Sequence, residues 1–134
     1  MRNIFLLSIV GAILFAACKK DHPQEPVNST PTLLGKWTLD STIVKEYHNG
    51  ILTYQNATAA TGMLWAAYDF RADGNVQAAS NLASFLYPYS IGGSTVSFNG
   101  QQYEIRDLAL TTVTLFYRTD YTGFYDEKYL KLKR

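Results

Sequence analysis

The chain has 134 residues, with 12 Lys or Arg against 11 Asp or Glu and a formal net charge of +1. That balance excludes an electrostatically driven nucleic-acid binder, which needs a strong, clustered basic excess. One cysteine excludes an internal disulfide framework, and the length has room for one small domain, not two.

The first element in chain order is "LLSIVGAILFAACKKDH", residues 6 to 22. A positive head, the amino terminus with Arg2, precedes an apolar run from Ile4 to Ala17 that closes on the small pair Ala16-Ala17. Charge, apolar core and small residues in that order make a secretory signal over residues 1–17. The run falls short of the roughly 18 to 20 apolar residues of a spanning helix, and basic residues follow at once, so a permanent transmembrane anchor is the weaker reading. The segment Phe15-Ala16-Ala17-Cys18 resembles the lipobox of bacterial lipoproteins, with Phe15 standing where that motif prefers Leu, Val or Ile. The resemblance implies cleavage before Cys18, diacylation of its sulfur with palmitate-type chains and, usually, acylation of the new amino terminus. Two or three such chains anchor stably where one does not. Ordinary cleavage with release of the protein is the alternative. Lys19 replaces the aspartate that would favour inner-membrane retention, which implies an outer-membrane lipoprotein on the periplasmic or cell-surface face. Residues 18–32 contain the acylated cysteine and three of the four prolines without a strand pattern, and read as a disordered tether.

From residue 33 to 134 apolar residues recur with period two between Gly and Asn turns, the pattern of short antiparallel strands. In "GKWTLDSTIVKEY" strict alternation puts Trp37, Leu39, Ser41 and Ile43 on one face. Asn49-Gly50 is a strong two-residue hairpin signal, and "ILTYQ" returns as the next strand, followed by an Ala/Thr-rich connection at 56 to 62. "MLWAAYDF" aligns Leu64, Ala66, Tyr68 and Phe70, and Asp73-Gly74 turns the chain into "NVQAAS". Residues 80 to 86 read as a loop or short helical turn. "YPYSI" carries Pro88, which cannot donate to a ladder and so marks an edge, a bulge or a strand start. Gly92-Gly93 leads into "STVSF", and Asn99-Gly100 leads into "QYEIRDL", with Tyr103 and Ile105 facing away from Gln102, Glu104 and Arg106. "VTLFYR" and "YDEKYLKLK" are joined by "TDYTGF", a pairing expected to set Tyr117 opposite Tyr125. The basic end from Lys128 to Arg134 reads as the solvent face of the last strand.

Eight or nine short strands in about one hundred residues must hide their edges, which a closed sheet does completely. The expected fold is therefore all-β, an up-and-down antiparallel meander closing into an eight-stranded, or nine-stranded, barrel. A two-sheet sandwich is the rival.

"LLGKWTLDS", "YDFRADGNV" and the pattern Tyr89, Ile91, Gly92, Val96, Phe98, Gly100 leading to Tyr103 and Ile105 resemble the lipocalin-like domains of small bacterial lipoproteins. Gly35-Lys36-Trp37 matches the Gly-x-Trp that opens the first lipocalin strand. The resemblance implies that Trp37 is a structural residue across the closed barrel end, under a basic residue of the last strand, with Lys131, Lys133 and Arg134 as the choices. "TDY" at 119 to 121 is similar to a second lipocalin motif, but one strand follows it here where that family has two and a helix, which implies a shorter, divergent barrel.

Catalytic groupings are scarce in the sequence. His22 lies in the tether, and His48 stands beside a turn with neither a cysteine nor a second histidine to form a metal site. Asp69, Asp73, Asp107, Asp120, Asp126 and Glu127 fall near turns or on polar faces, and neither a nucleophile elbow nor a phosphate loop occurs. The reading is a protein that is not an enzyme and takes no cofactor, metal or nucleic acid. Ten Tyr, seven Phe and two Trp are either strand packing or a lining. As a lining, Trp65, Tyr68, Phe70, Phe98, Tyr103, Leu115 and Tyr117 would hold a small, mainly apolar molecule inside the barrel. The other expectation is a solid barrel whose exposed tyrosines and loops contact a glycan or a protein.

Overall fold

The computed structural model describes residues 30–60 and 67–134. Cys18, the signal and most of the tether lie outside the described residues, as do Leu64, Trp65 and Ala66. The described chain contains nine strands and no helix: β1 (Gly35–His48), β2 (Ile51–Ala59), β3 (Ala67–Phe70), β4 (Asn75–Ala79), β5 (Ser84–Gly92), β6 (Thr95–Phe98), β7 (Gln101–Arg106), β8 (Thr112–Tyr121) and β9 (Phe124–Lys133). All pairings are antiparallel, in the order β2-β1-β3-β4-β5-β6-β7-β8-β9, and β9 returns to β1. Leaving out β2, this is an up-and-down meander closed into an eight-stranded barrel, the expected fold with one strand added.

Turn chemistry sets the hairpins. Asn49 (φ 50°) with Gly50 (φ 79°), and Asn99 (φ 50°) with Gly100 (φ 71°), both hold the two left-handed residues that a tight hairpin loop requires. Pro88 sits inside β5, where the pairing with β4 ends at Asn75 and that with β6 begins at Tyr89. The amide of Tyr89 points towards β4, donating to the Gly74 carbonyl at 2.9 Å. The ring nitrogen of Pro88 therefore faces the other way, to an edge that β6 does not yet cover, so the ladder loses no donor.

Four expectations are corrected. The stretch 56 to 59 is not a connection but the second half of β2, and 84 to 86 begins β5, leaving 80–83 as the turn. A β-bulge at Asp40 breaks the alternation of β1, because Leu39 pairs with Leu132 while Ser41 pairs with Lys131. Beyond it Thr42 and Val44 continue the face of Leu39, and Ile43 turns outward; one extra residue inverts every side chain that follows. Tyr117 pairs with Lys128, and Tyr125 lies between Asp120 of β8 and Tyr47 of β1, because the hairpin turns at Thr122-Gly123.

The core is one cluster. Trp37 (0% exposed), Leu39, Phe70, Val76, Val96, Val113, Leu115 and Leu132 fill it, with Leu33 beneath. Trp37 donates its indole N–H to the Leu33 carbonyl at 2.7 Å. The guanidinium of Arg134 lies 4.1 Å above the Trp37 ring and donates to the carbonyls of Leu110 (2.6 Å), Leu34 (3.1 Å) and Thr32 (2.9 Å). Of the three basic residues considered for this place, Arg134 takes it. Gly35 is the matching device: its φ is +106°, and a Cβ there would come within 3.3 Å of an Arg134 terminal nitrogen.

At the bulge β1 changes partner. Gly35–Thr38 pair with β3, and Ser41–His48 pair with β2, while β9 follows the other edge from Thr38 to His48. Because β7 pairs with β8 only from Thr114 to Phe116, the far ends of β8, β9, β1 and β2 leave the barrel together as a four-stranded antiparallel projection.

Candidate functional site

Inside the barrel, six of the seven residues expected to line a ligand space are described, and they meet one another there. Phe70, Phe98 and Tyr68 make edge-on ring contacts, with Phe70–Phe98 centroids at 5.7 Å and Tyr68–Phe98 at 5.9 Å. Leu115 is fully buried beside them. Tyr103 stacks on Phe98 at 4.7 Å and meets Tyr117 edge-on at 5.3 Å, and these two tyrosines are only partly buried, where the core opens towards the projection. Burial pushes the Tyr68 hydroxyl up to about 12 and Tyr103 higher still, with neighbouring phenols adding to both. Trp65 lies outside the described residues.

The projection has two faces. The inner one continues the barrel interior through Leu130, Lys128, Asp126 and Phe124 of β9, with Val44 and His48 of β1 and Tyr117 and Tyr121 of β8. His48 stacks on Phe124 at 5.2 Å and bonds Glu46 at 2.6 Å, and Phe124 stacks on Tyr121 at 4.5 Å. Asp126 Oδ1 on this face is shielded from solvent without a hydrogen-bond partner.

The outer face is built of aromatic rings and cations in two rows running across the strands. In the first, Arg118 of β8 lies 3.6 Å over the Tyr125 ring of β9, which stacks on Tyr47 of β1 at 4.7 Å and 14°. In the second, Arg106 of β7 lies 3.5 Å over Phe116 of β8; Phe116 meets Tyr129 of β9 at 5.0 Å, and the Lys45 ammonium of β1 is 5.1 Å from the Tyr129 centroid. Acids orient the guanidinia: Glu104 binds Arg106 at 2.8 Å, and Asp120 binds Arg118. Accepting that bond holds the Glu104 carboxyl below its ordinary range. Tyr129 donates its hydroxyl to Glu127 at 2.6 Å, and its phenol is raised to about 12, first by burial and then by that carboxylate.

A groove of about 270 Å³ opens on this face, lined by Ile43, Lys45, Arg106, Asp107, Thr114, Tyr129 and Lys131. A second, of about 310 Å³, adjoins it and shares Asp107, Thr114 and Lys131.

The sequence reading named none of these outer residues as a site. Half of the face was legible, since Tyr125, Glu127, Tyr129 and Lys131 alternate along the last strand and Phe116 and Arg118 along the one before. The remainder depends on the bulge, which turns Ile43, Lys45 and Tyr47 outward, and on closure, which brings Arg106 alongside.

Among the described residues no group of three His, Cys, Asp or Glu side chains is placed to hold a metal ion. Among the described residues, fold and surface together define a closed, eight-stranded antiparallel barrel around one apolar core cluster, with a projecting sheet whose outer face is aromatic and cationic. Comparison with protein-family models, curated proteins and solved structures finds no match to this chain.

Proposed function

We propose that this protein is a membrane-tethered, non-enzymatic interaction module of the bacterial envelope. Acylated Cys18 anchors it, residues 19–32 form the tether, and a solid lipocalin-like barrel displays the outer face of the projection to a glycan or a protein. One observation carries this reading: the aromatic side chains inside the barrel are spent on packing one another, whereas a second set is held in stacked rows on a face that no part of the described chain covers. Aromatic and Arg side chains supply most of the energy of recognition surfaces, and those fixed in place lose little entropy on binding.

The test uses the full acylated chain in detergent micelles, with capture of glycans and envelope proteins compared between the parent and Tyr125→Ala or Phe116→Ala. Both variants are expected to fold and to lose capture by tenfold or more. Undiminished capture by both variants would overturn the reading. The envelope placement is checked separately by mass spectrometry of the mature amino terminus, where an unmodified Cys18 in a lipoprotein-processing host would refute it.

A second reading, a small, mainly apolar molecule bound at the inner side, is favoured by one feature. Where the core opens onto the projection, Tyr103 and Tyr117 remain partly exposed, and the orphan acceptor Asp126 Oδ1 lies further along the same face of the sheet. Native mass spectrometry that recovers an apolar molecule, released by Trp65→Ala or Phe98→Ala, would select this reading over the first.

A further inference from the structure

We infer that the groove between β7, β8, β9 and β1 is a binding site for a carboxylate-bearing sugar, a single acidic residue of a glycan. The inference rests on the outer-face reading above and names its ligand class.

Three cations border the groove, Lys45, Arg106 and Lys131, against one acid, Asp107. They differ in how they are held. Arg106 is clamped between the Phe116 ring and Glu104 Oε2, with the Tyr129 ring also beside it at 5.9 Å, so its guanidinium is held in a fixed plane at the border of the groove. Among the described residues Lys131 forms no ion pair or hydrogen bond through its ammonium, although Glu127 lies on the same face of its strand and Asp40 is engaged nearby by Lys133 at 2.5 Å. Lys45 faces the Tyr129 ring rather than a carboxylate. A lysine left without an acid partner, in a chain with almost as many acids as bases, is a cation still free to pair with a ligand.

The rest of the lining fits a sugar better than a bare ion. Ile43 and the edge of the Tyr129 ring, whose faces Lys45 and Phe116 cover, provide an apolar flank against which the C–H face of a pyranose can pack. Thr114, only 9% exposed, and Asp107 supply a hydroxyl and an acceptor for ring hydroxyls. With Arg106 already paired to Glu104, the three cations exceed the two acids, Glu104 and Asp107, by one, which a single carboxylate matches, whereas a phosphorylated or sulfated ligand would bring more negative charge against Asp107. The adjoining groove, continuous through Asp107, Thr114 and Lys131, gives the next sugar of a chain a place to lie.

The test is calorimetric titration of the full chain in detergent with a short oligogalacturonate, with the same oligomer after reduction of its carboxylates to the neutral sugar, and with inorganic phosphate. The acidic oligomer is expected to bind, more weakly as salt rises, and the neutral oligomer and phosphate to bind at least tenfold more weakly. Lys131→Ala should weaken the acidic oligomer about tenfold, the loss of one charged contact, and Lys131→Arg should retain it; Lys131 is exposed, so neither variant threatens the fold. Equal affinity for the neutral oligomer, equal affinity for phosphate, no binding of the acidic oligomer, or no effect of Lys131→Ala would each overturn the inference. Those failures leave the broader reading standing if Tyr125→Ala still abolishes capture of another partner, and they are thereby told apart from its failure.

Discussion

The closed end of the barrel and the projection are made of the same strands and are held together by opposite means. Around Trp37 the chain is buried on all sides, and Arg134 closes it by stacking on the indole while tying down three carbonyls. Past the bulge at Asp40, β1 and β9 continue with their ladder intact but without a core above them, and β2 is exposed along its whole length, with Ile51 70% exposed. There, cross-strand stacking stands in for burial. An exposed cation–π contact contributes about 0.5–1 kcal/mol and an aromatic pair about 0.5–1.5 kcal/mol, whereas deleting a buried large aromatic costs about 3–5 kcal/mol. The difference teaches that the barrel supplies most of the stability, while the projection is held by smaller, local contacts that substitutions on its surface can remove at little cost to the fold.

The largest break in that comparison comes from Trp37→Ala. It should cost about 3–5 kcal/mol, a large part of an ordinary domain's stability, and urea denaturation would show a midpoint far below the parent or no folded baseline.

Alkaline pH should act on the barrel next. The Tyr68 phenol ionises near 10 in the unfolded chain and only near 12 in the fold. Below pH 10 both states are neutral and the contribution is whole; between about 10 and 12 the unfolded chain releases its proton first, and stability falls by about 2–3 kcal/mol. Denaturation midpoints measured across that window should decline steeply in the parent and less so in Tyr68→Phe.

Arg134→Ala should then cost about 1–2 kcal/mol, since the guanidinium is solvent-exposed and its carbonyl partners can turn to water. In a double-mutant cycle, Gly35→Ala should cost less in the Arg134→Ala background than in the parent, because the close approach disappears with the guanidinium.

The smallest global effect belongs to Tyr125→Ala, about 1 kcal/mol or less. Its effect should be local: hydrogen exchange is expected to speed up at amides of the projection, residues 43 to 58 and 117 to 128, while Val76, Val96 and Val113 stay protected. Uniform acceleration across the barrel would mean that the two regions unfold as one unit.

Much of the fold was legible because its signals are local. Asn49-Gly50 and Asn99-Gly100 dictate their turns through left-handed backbone that few other pairs accept, and Tyr103 with Ile105 alternate against polar neighbours within one short strand. Where the reading failed, the cause lay elsewhere in the chain. Tyr117 opposite Tyr125 is a sensible aromatic pair, but the hairpin turns at Thr122-Gly123 and shifts the register, leaving Tyr125 to stack on Tyr47, 78 positions earlier in the chain. The candidate interior residues Tyr68, Phe70, Phe98 and Leu115 were correctly grouped by parity, yet parity carries no information on whether a grouped set encloses space or fills it.

By itself, the sequence determined an all-β meander, the number of its strands to within one, most of its turns and the Gly-x-Trp at its closed end, since alternation and turn chemistry are properties of neighbouring residues. Only the tertiary structure decided that β9 returns to β1, that Arg134 rather than Lys131 or Lys133 covers Trp37, and that one extra residue at Asp40 turns Ile43, Lys45 and Tyr47 to the outer face. Each of these depends on which strand lies alongside which, and that is settled by closure of the whole sheet around a single core.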